Sequence, residues 1–228
     1  MGSISVAVAD DHPVFRSGIE AIIEEEERLE LVGSASNGKE ALEIVDRLQP
    51  DVLLLDMSMP EMDGLEVARK LVQKRSKTRA LPLSGHVESE YVLGAMDAGV
   101  RGYLLKDEKP SVIADAIVHV SNGGVYISSR LFDVLNKTTS HRIVSTRERA
   151  QSLVEELAIT PRLLEVLVEA AQGLTNEEIG DQLYKSPHTV RNQIESLKSI
   201  AGVSSRPALV AWAWRNGLNQ LWDTNTSI

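Results

Sequence analysis

One stretch restricts the possible folds more than any other: Val52-Leu53-Leu54-Leu55, followed at once by Asp56, with Pro60 and Gly64 close behind. An unbroken aliphatic run has no polar face, so it reads as a strand buried on both sides, the situation of a central strand in a parallel sheet. The run stops at an acid and then at turn residues, which puts Asp56 at the carboxyl end of that strand. In open parallel sheets ligands bind in the crevice outside the carboxyl ends of the strands, so Asp56 is a candidate for chemistry.

The flanking segments supply the rest of such a sheet. Ile4 to Ala9 is a short apolar strand ending on Asp10-Asp11, and Phe15, Ile19, Ile22 and Ile23 follow at helical spacing. Leu29 to Ala35 reads as a second strand with Asn37-Gly38 as its turn; Ala41, Ile44, Val45 and Leu48 form the next helical face, stopped by Gln49-Pro50. After Gly64 come a helix carrying Leu65, Ala68 and Leu71, a strand Arg79 to Ser84, a helix near Ser89 to Ala98, a strand Gly102 to Leu105, and an amphipathic face of Val112, Ile113, Ala116, Ile117 and Val120. Five strands alternating with five helices predict a parallel sheet covered on both faces, and right-handed crossovers favour the order 2-1-3-4-5. Pro82 conflicts with this pattern, because it removes a ladder donor from an interior strand. Either a bulge there, or a strand that forms only near Leu83, is expected.

In that order Asp10-Asp11, Asp56, Ser84 and Lys106 end four neighbouring strands. Three carboxylates gathered in one crevice repel one another and call for a cation. Mg²⁺ fits, since it favours a few carboxylates together with waters and phosphate oxygens. Lys106 adds a point charge and Ser84 a hydroxyl donor. Each residue also has a purely structural reading: Asp11 ahead of His12-Pro13 suits the cap of the first helix. Ser84 suits a loop, Lys106 a solvated surface and Tyr103 an apolar core.

The chain has 228 residues, enough for two domains that each bury a core. There is no cysteine, which excludes disulfides, thiolate metal sites and a thiol nucleophile. The apolar runs are too short to cross a bilayer and no leader pattern opens the chain, so a cytoplasmic protein with no membrane partner is expected. The net charge of -9 is unevenly placed: residues 1–140 hold 15 Lys+Arg against 23 Asp+Glu, and residues 141–228 hold 9 against 10.

The second part is helical by its punctuation. Gly123-Gly124 ends the first part, Asn136 to His141 is polar and aperiodic, and Ser145-Thr146-Arg147-Glu148 has capping-box spacing that predicts a connecting helix to about Leu157. Thr160-Pro161, Thr175-Asn176-Glu177-Glu178, Ser186-Pro187 and Ser205-Arg206-Pro207 open four more helices. The second and third are short and tightly joined, the third with a polar outer face, which describes a helix-turn-helix. Ala208, Val210, Ala211, Trp212 and Trp214 make the fourth apolar enough to suggest a self-complementary patch, unless both tryptophans pack inward.

Asp10-Asp11, Asp56-Met57-Ser58-Met59-Pro60-Glu61-Met62-Asp63-Gly64, Ser84 and Gly102-Tyr103-Leu104-Leu105-Lys106 resemble the receiver domain of two-component response regulators. The resemblance implies a flavodoxin-like α/β fold with a five-stranded parallel sheet, and a phosphoacceptor at Asp56 served by a sensor histidine kinase. It further implies Mg²⁺ held by Asp11, the Asp56 carboxylate and the Ser58 backbone carbonyl, with Asp10 acting through water. Lys106 and Ser84 would assist transfer, and Ser84 with Tyr103 would form the switch that remodels the fourth helix, fourth strand and fifth helix.

Leu157-Ala158-Ile159-Thr160-Pro161-Arg162, Gln172-Gly173-Leu174-Thr175-Asn176-Glu177-Glu178-Ile179, Ser186-Pro187-His188-Thr189-Val190-Arg191-Asn192 and Gly202-Val203-Ser204-Ser205-Arg206 resemble the LuxR-type helix-turn-helix of the NarL/FixJ response regulators. By that resemblance the small all-α four-helix domain binds double-stranded DNA, with Arg191, Asn192 and Glu195 at base edges and Ser186, Thr189, Lys185, Lys198 and Arg206 nearer phosphates. Leu163, Gln193 and Ile200 depart from the family's usual Glu, His and basic residue. With a near-neutral charge, this predicts weak, salt-sensitive binding by one domain and a requirement for a homodimer, formed on phosphorylation.

The domains expected are a receiver at 1–124, a linker with a connecting helix at 125–156 and a DNA-binding domain at 157–228. The function expected is a phosphorylation-controlled transcriptional regulator rather than a turnover enzyme. One alternative keeps the receiver but makes the second domain a protein-interaction module with an eroded DNA surface. Another is a metal-dependent phosphohydrolase with an aspartate nucleophile.

Overall fold

A computed structural model describes residues 2–85, 89–131 and 143–221. They fall into two compact units, residues 1–128 and 129–228. In the first, strands and helices alternate as β1 (Ile4–Ala9), α1 (Pro13–Glu25), β2 (Leu29–Ala35), α2 (Gly38–Leu48), β3 (Val52–Asp56), α3 (Gly64–Gln73), β4 (Arg79–Ser84), α4 (Ser89–Asp97), β5 (Gly102–Leu105), α5 (Pro110–Ser121) and β6 (Tyr126–Ile127). The sheet is parallel throughout, in the order β2-β1-β3-β4-β5-β6.

β3 is the centre of this unit, and Val52, Leu53, Leu54 and Leu55 are wholly buried. Successive side chains of a strand point to opposite faces, so the run must be apolar at every position. Leu54, with Val6, Val8, Leu81 and Leu104, joins Ile19 and Ile23 of α1 and Ile113 and Ile117 of α5 in one core cluster. On the other face of the sheet α2 packs against β1 and β2 and against α3.

The sheet has six strands where the sequence pattern gives five. After α5, Gly123 turns at φ 91° and the chain runs back beside β5, pairing Tyr126 with Gly102 and Ile127 with Tyr103. A two-residue strand is too short to show a period. Ser128 fastens it, its N–H donating to the Tyr103 carbonyl at 3.0 Å and its hydroxyl accepting from the Leu105 N–H at 3.2 Å.

Pro82 sits in β4 without disturbing its pairing to β3, where Arg79 through Leu83 keep a regular register with Val52 through Asp56. Arg79 N–H donates to Asp51 on the β3 side, while Ala80 and Ser84 carbonyls accept on the β5 side. Alternation therefore turns the missing donor of Pro82 toward β5. There the ladder begins only at Leu83↔Leu104, just beyond the proline; β4 itself starts at Arg79 with no bulge against β3, so neither expected disruption of the strand occurs.

The second unit contains α6 (Ile143–Glu156), α7 (Pro161–Ala171), α8 (Asn176–Leu183), α9 (Pro187–Ala201) and α10 (Arg206–Arg215), followed by a 3₁₀ turn at Leu218–Gln220. The connecting helix begins at Ile143, so Ser145 lies within it and is not its cap. The polar stretch Asn136 to His141 lies outside the described residues. The other caps form as their residue types require: Thr160, Ser186 and Ser205 each accept a backbone N–H, and Thr175 and Glu178 make a reciprocal capping box.

The turn between α8 and α9 depends on two backbone features. Tyr184 adopts the left-handed conformation at φ 53°, and a Cβ on Gly180 would lie 2.6 Å from the Lys185 carbonyl oxygen. The apolar run of α10 is spent inside the unit rather than offered to a second copy. Ala208, Leu209, Val210, Ala211, Ala213 and Trp214 are all buried, and the Trp214 indole donates to the Ala171 carbonyl at 2.9 Å. Only Trp212 of the two tryptophans stays partly exposed.

Two glycines are therefore required by close approach. A Cβ on Gly64 would collide with the Asp56 carbonyl oxygen and come within 2.8 Å of Met57 Cα. Gly64→Ala and Gly180→Ala should each destabilise their own unit by ~1–3 kcal/mol in urea unfolding, the usual cost of overpacking.

Candidate functional sites: an acidic cleft and a helix-turn-helix face

Asp10, Asp56, Ser84 and Lys106 stand at or just past the carboxyl ends of β1, β3, β4 and β5, which the register places side by side. Asp10 and Asp56 are 2 % and 3 % exposed, so both carboxylates have left bulk water. Lys106 Nζ is 2.8 Å from Asp10 Oδ2 and 2.8 Å from Asp56 Oδ2. The contact to Asp56 is a directed hydrogen bond, whereas the one to Asp10 is a close ion pair without hydrogen-bond geometry. The Lys106 N–H donates to the Ser84 carbonyl at 3.0 Å, which ties the ends of β4 and β5 together, and its ammonium also lies 4.8 Å from the centroid of the Phe15 ring.

Around this pair the chain spends its donors on the carboxylates. Ser58 N–H donates to Asp56 Oδ1 at 3.2 Å, and His12 N–H donates to Asp10 Oδ1 at 2.8 Å. Arg16 donates to the Asp10 carbonyl at 2.6 Å. Asp11 sits at the mouth of the cleft, less buried than Asp10 and Asp56. It does not cap α1: His12 is the N-cap, and no side chain bonds there. Asp11 Oδ1 is buried and receives no directed hydrogen bond, its close neighbour being His12 Nδ1 at 2.7 Å.

Burial pushes the Asp56 carboxyl above the ordinary aspartate range, with the Asp10 charge adding to the rise and the Lys106 and Ser58 hydrogen bonds opposing it. For Lys106, burial works downward but the two carboxylates outweigh it, and the ammonium is held above its usual range. Oxygen atoms of Asp10, Asp11 and Asp56 and a ring nitrogen of His12 lie within 4.8 Å of one another, a cluster that could hold a metal ion. An oxygen-rich set with a buried carboxylate oxygen lacking a hydrogen bond suits a hard divalent cation.

Ser84 is 1 % exposed at the end of β4, and Tyr103 is wholly buried in β5, its ring edge-on to Tyr91 with centroids 6.4 Å apart. Tyr91 is a neighbour that sequence patterning did not single out. Burial raises its pKa, and the negative charges of Asp63 and Asp56 add to the rise. By sequence, Phe15 reads only as part of an apolar helix face and His12 only as part of a helix entry, and Arg16 carries no assigned role; their position directly after Asp10-Asp11 is the signal that places them at the cleft.

In the second unit, His188, Thr189, Arg191, Asn192 and Glu195 are exposed along α9. Ser186 caps the helix and bonds to Thr189. Lys198 pairs with Glu195 at 2.8 Å on the same helix. Lys185 and Arg206, expected near phosphates, are turned inward. Lys185 Nζ is 3.0 Å from Glu165 Oε2 of α7, and Arg206, 8 % exposed, donates to Asn176 Oδ1 at 2.6 Å and to the Leu174 carbonyl.

Comparison with known proteins agrees with both halves. Residues 6–118 match the response regulator receiver domain, and residues 157–213 match the luxR family of bacterial regulatory proteins. The transcriptional regulatory protein LiaR of Bacillus subtilis is 34% identical over 94% of this chain and 99% of its own. The nitrate/nitrite response regulator protein NarL of Escherichia coli is 32% identical over 91% of this chain and 94% of its own. Among solved structures, the response regulator ChrA of a heme-sensing two-component system covers 96% of this chain and 100% of its own, with 29% identity and a TM-score of 0.52. The receiver domain of NarL from Mycobacterium tuberculosis covers 54% of this chain and 99% of its own, with 37% identity and a TM-score of 0.53. A parallel-sheet unit with an acidic cleft, followed by a helix-turn-helix unit and matched along nearly its whole length by such regulators, places this chain in the family of transcriptional response regulators with a receiver domain and a LuxR-type DNA-binding domain.

Proposed function

We propose that Asp56 is the phosphoacceptor of this regulator, that its donor is the phosphohistidine of a sensor histidine kinase, and that the acyl phosphate governs pairing and DNA binding of the second domain. The observation that carries the reading is the Lys106 ammonium held 2.8 Å from the carboxylates of both Asp10 and Asp56 in a cleft at the strand ends. Asp56 attacks phosphorus as the ionised carboxylate, so the Lys106 and Ser58 hydrogen bonds that favour ionisation against burial are part of its activation. In transfer, Lys106 offsets charge on the phosphoryl oxygens. Ser84 answers the new group from β4, and Tyr103 with its Tyr91 neighbour repacks behind it, a two-state element biased by added charge.

Asp11, the Asp56 carboxylate and the Ser58 carbonyl would hold Mg²⁺, with Asp10 acting through water and His12 beside them. Bound there, the ion supplies positive charge that offsets the acidic cluster and the incoming phosphoryl group. The receiver, expected at 1–124, runs on through β6 to Ser128; a linker with the connecting helix then leads to 156, and the DNA-binding domain follows at 157–228. A cytoplasmic location suits this role, and among the described residues no helix is long and apolar enough to cross a membrane.

On DNA, α9 enters the major groove with Arg191 suited to guanine and Asn192 to adenine. Ser186 and Thr189 approach phosphates, and Glu195 reaches cytosine only by leaving Lys198. Lys185 and Arg206 hold the domain together instead. With those cations spent internally, one domain binds weakly, and a homodimer on two half-sites supplies the affinity. The same shortage of free cations is what favours the second reading, a protein-interaction module under receiver control. Binding to duplex panels at two salt concentrations separates the two: specific, salt-dependent binding supports the regulator, and no binding at low salt supports the module.

Asp56→Asn should take up no phosphoryl group from acetyl phosphate and should lose phosphorylation-dependent DNA binding, and normal uptake would refute the assignment. Added Mg²⁺ at a hundredfold excess over Kd should stabilise the wild-type protein by ~2.7 kcal/mol, read as a higher melting temperature, and Asp11→Asn should lose most of that gain. Arg191→Ala should weaken specific binding by ~1–3 kcal/mol with little change in stability. Lys185→Met should move unfolding rather than base preference.

A further inference from the structure

Beneath α3, at the amino ends of β4 and β5, lies a cavity of about 60 Å³ lined by Val72, Lys77, Thr78, Arg79, Gly99 and Arg101 among others. It holds more than the ~10–15 Å³ that one water requires. Its charge is unusual for this unit, which carries most of the chain's acidic surplus. Arg79 and Arg101 are half-buried, and no carboxylate lines the cavity. Among the described residues neither guanidinium has an ion pair or a side-chain hydrogen bond. The nearby acids are spent elsewhere: Asp51 accepts from the Ser5 N–H and hydroxyl at 3.0 and 2.7 Å, and Asp46 pairs with Lys74 at 2.6 Å.

A second, independent observation points the same way. Thr78 is 6 % exposed, and its hydroxyl is buried without a hydrogen-bond partner. Its backbone is fixed by the Ser76 hydroxyl, which accepts the Thr78 N–H at 3.2 Å, so the orphan is the side chain alone. The arginine backbones are fixed too, Arg79 N–H to the Asp51 carbonyl at 3.0 Å and Arg101 N–H to the Ala80 carbonyl at 2.7 Å. Two half-buried like charges at neighbouring strand ends, without a counter-charge among the described residues, cost free energy that water reaching the cavity offsets only in part. Burial and the neighbouring Arg79 charge both press on the Arg101 guanidinium, lowering its pKa.

We propose that Arg79, Arg101 and the Thr78 hydroxyl form a binding site for a tetrahedral oxyanion of the phosphate class, with exposed Lys77 at its entrance. Two guanidiniums supply forked N–H donors to the oxygens, and the threonine hydroxyl gains the partner it lacks. The site lies on β4 and β5 at the end opposite Ser84 and Lys106, so it is distinct from the acidic cleft.

The test is an amide NMR titration of the full chain, without Mg²⁺ and at constant ionic strength, with inorganic phosphate and, separately, phenyl phosphate. Saturable shifts at the Thr78, Arg79 and Arg101 amides are expected. They should weaken at least ~10-fold in Arg101→Met and measurably in Thr78→Val, while both variants keep the remaining spectrum and still accept phosphate from acetyl phosphate. Equal midpoints for the two ligands identify the free ion as the occupant, and a tighter midpoint for the ester identifies a phosphorylated small molecule; either upholds the site. Shifts that fail to saturate, that appear only elsewhere, or that persist unchanged in folded Arg101→Met would overturn it.

Discussion

The first domain depends on one charge arrangement, an ammonium between two buried carboxylates. Lys106 reaches Asp10 and Asp56 only because β1, β3, β4 and β5 run parallel and end at the same level, with Lys106 fastened to Ser84 through its backbone. Removing such charges from water is expensive, and breaking one partner of a buried pair leaves an uncompensated ion. The sheet supplies the compensation: the aliphatic β3 fixes Asp56 in depth, and the loop after it turns back so closely that Gly64 has no room for a side chain. The cleft thus holds more negative charge than it can balance alone, which makes it responsive to a cation or to a phosphoryl group.

What was legible in the sequence follows from period and position. Val52 to Leu55 could be apolar at every residue only in a strand covered on both faces, and that strand fixed the order of its neighbours and the convergence of Asp10, Asp11, Asp56, Ser84 and Lys106. Short or non-local features were not legible. Two residues of β6 carry no period, and its anchor, Ser128, bonds across to β5. Asp11 reads as a cap by residue type, yet the helix starts one residue later and leaves it in the cleft. Lys185 and Arg206 read as surface cations because their partners, Glu165, Asn176 and the Leu174 carbonyl, lie on segments distant in sequence. Trp214 reads as a sticky surface residue for the same reason, its acceptor being Ala171.

Those inward turns set the character of the second domain. A nearly neutral helical unit that spends two of its basic residues on its own cohesion has little electrostatic attraction left for a phosphate backbone. Its exposed helix still presents Arg191 and Asn192, the latter beside His188, and these are the side chains proposed to read base edges. Such a domain gains most from being paired, and a charge-driven change in the receiver is a suitable control on pairing.

The central claim is that phosphorylation occurs on the carboxylate facing Lys106. The most direct measurement is peptide mapping of the wild-type chain after reaction with acetyl phosphate and Mg²⁺, with the acyl phosphate trapped by borohydride reduction. One modified residue per chain, Asp56, is the result predicted. A stoichiometric label on any other residue, or none on Asp56 under conditions where the folded protein binds Mg²⁺, would contradict it.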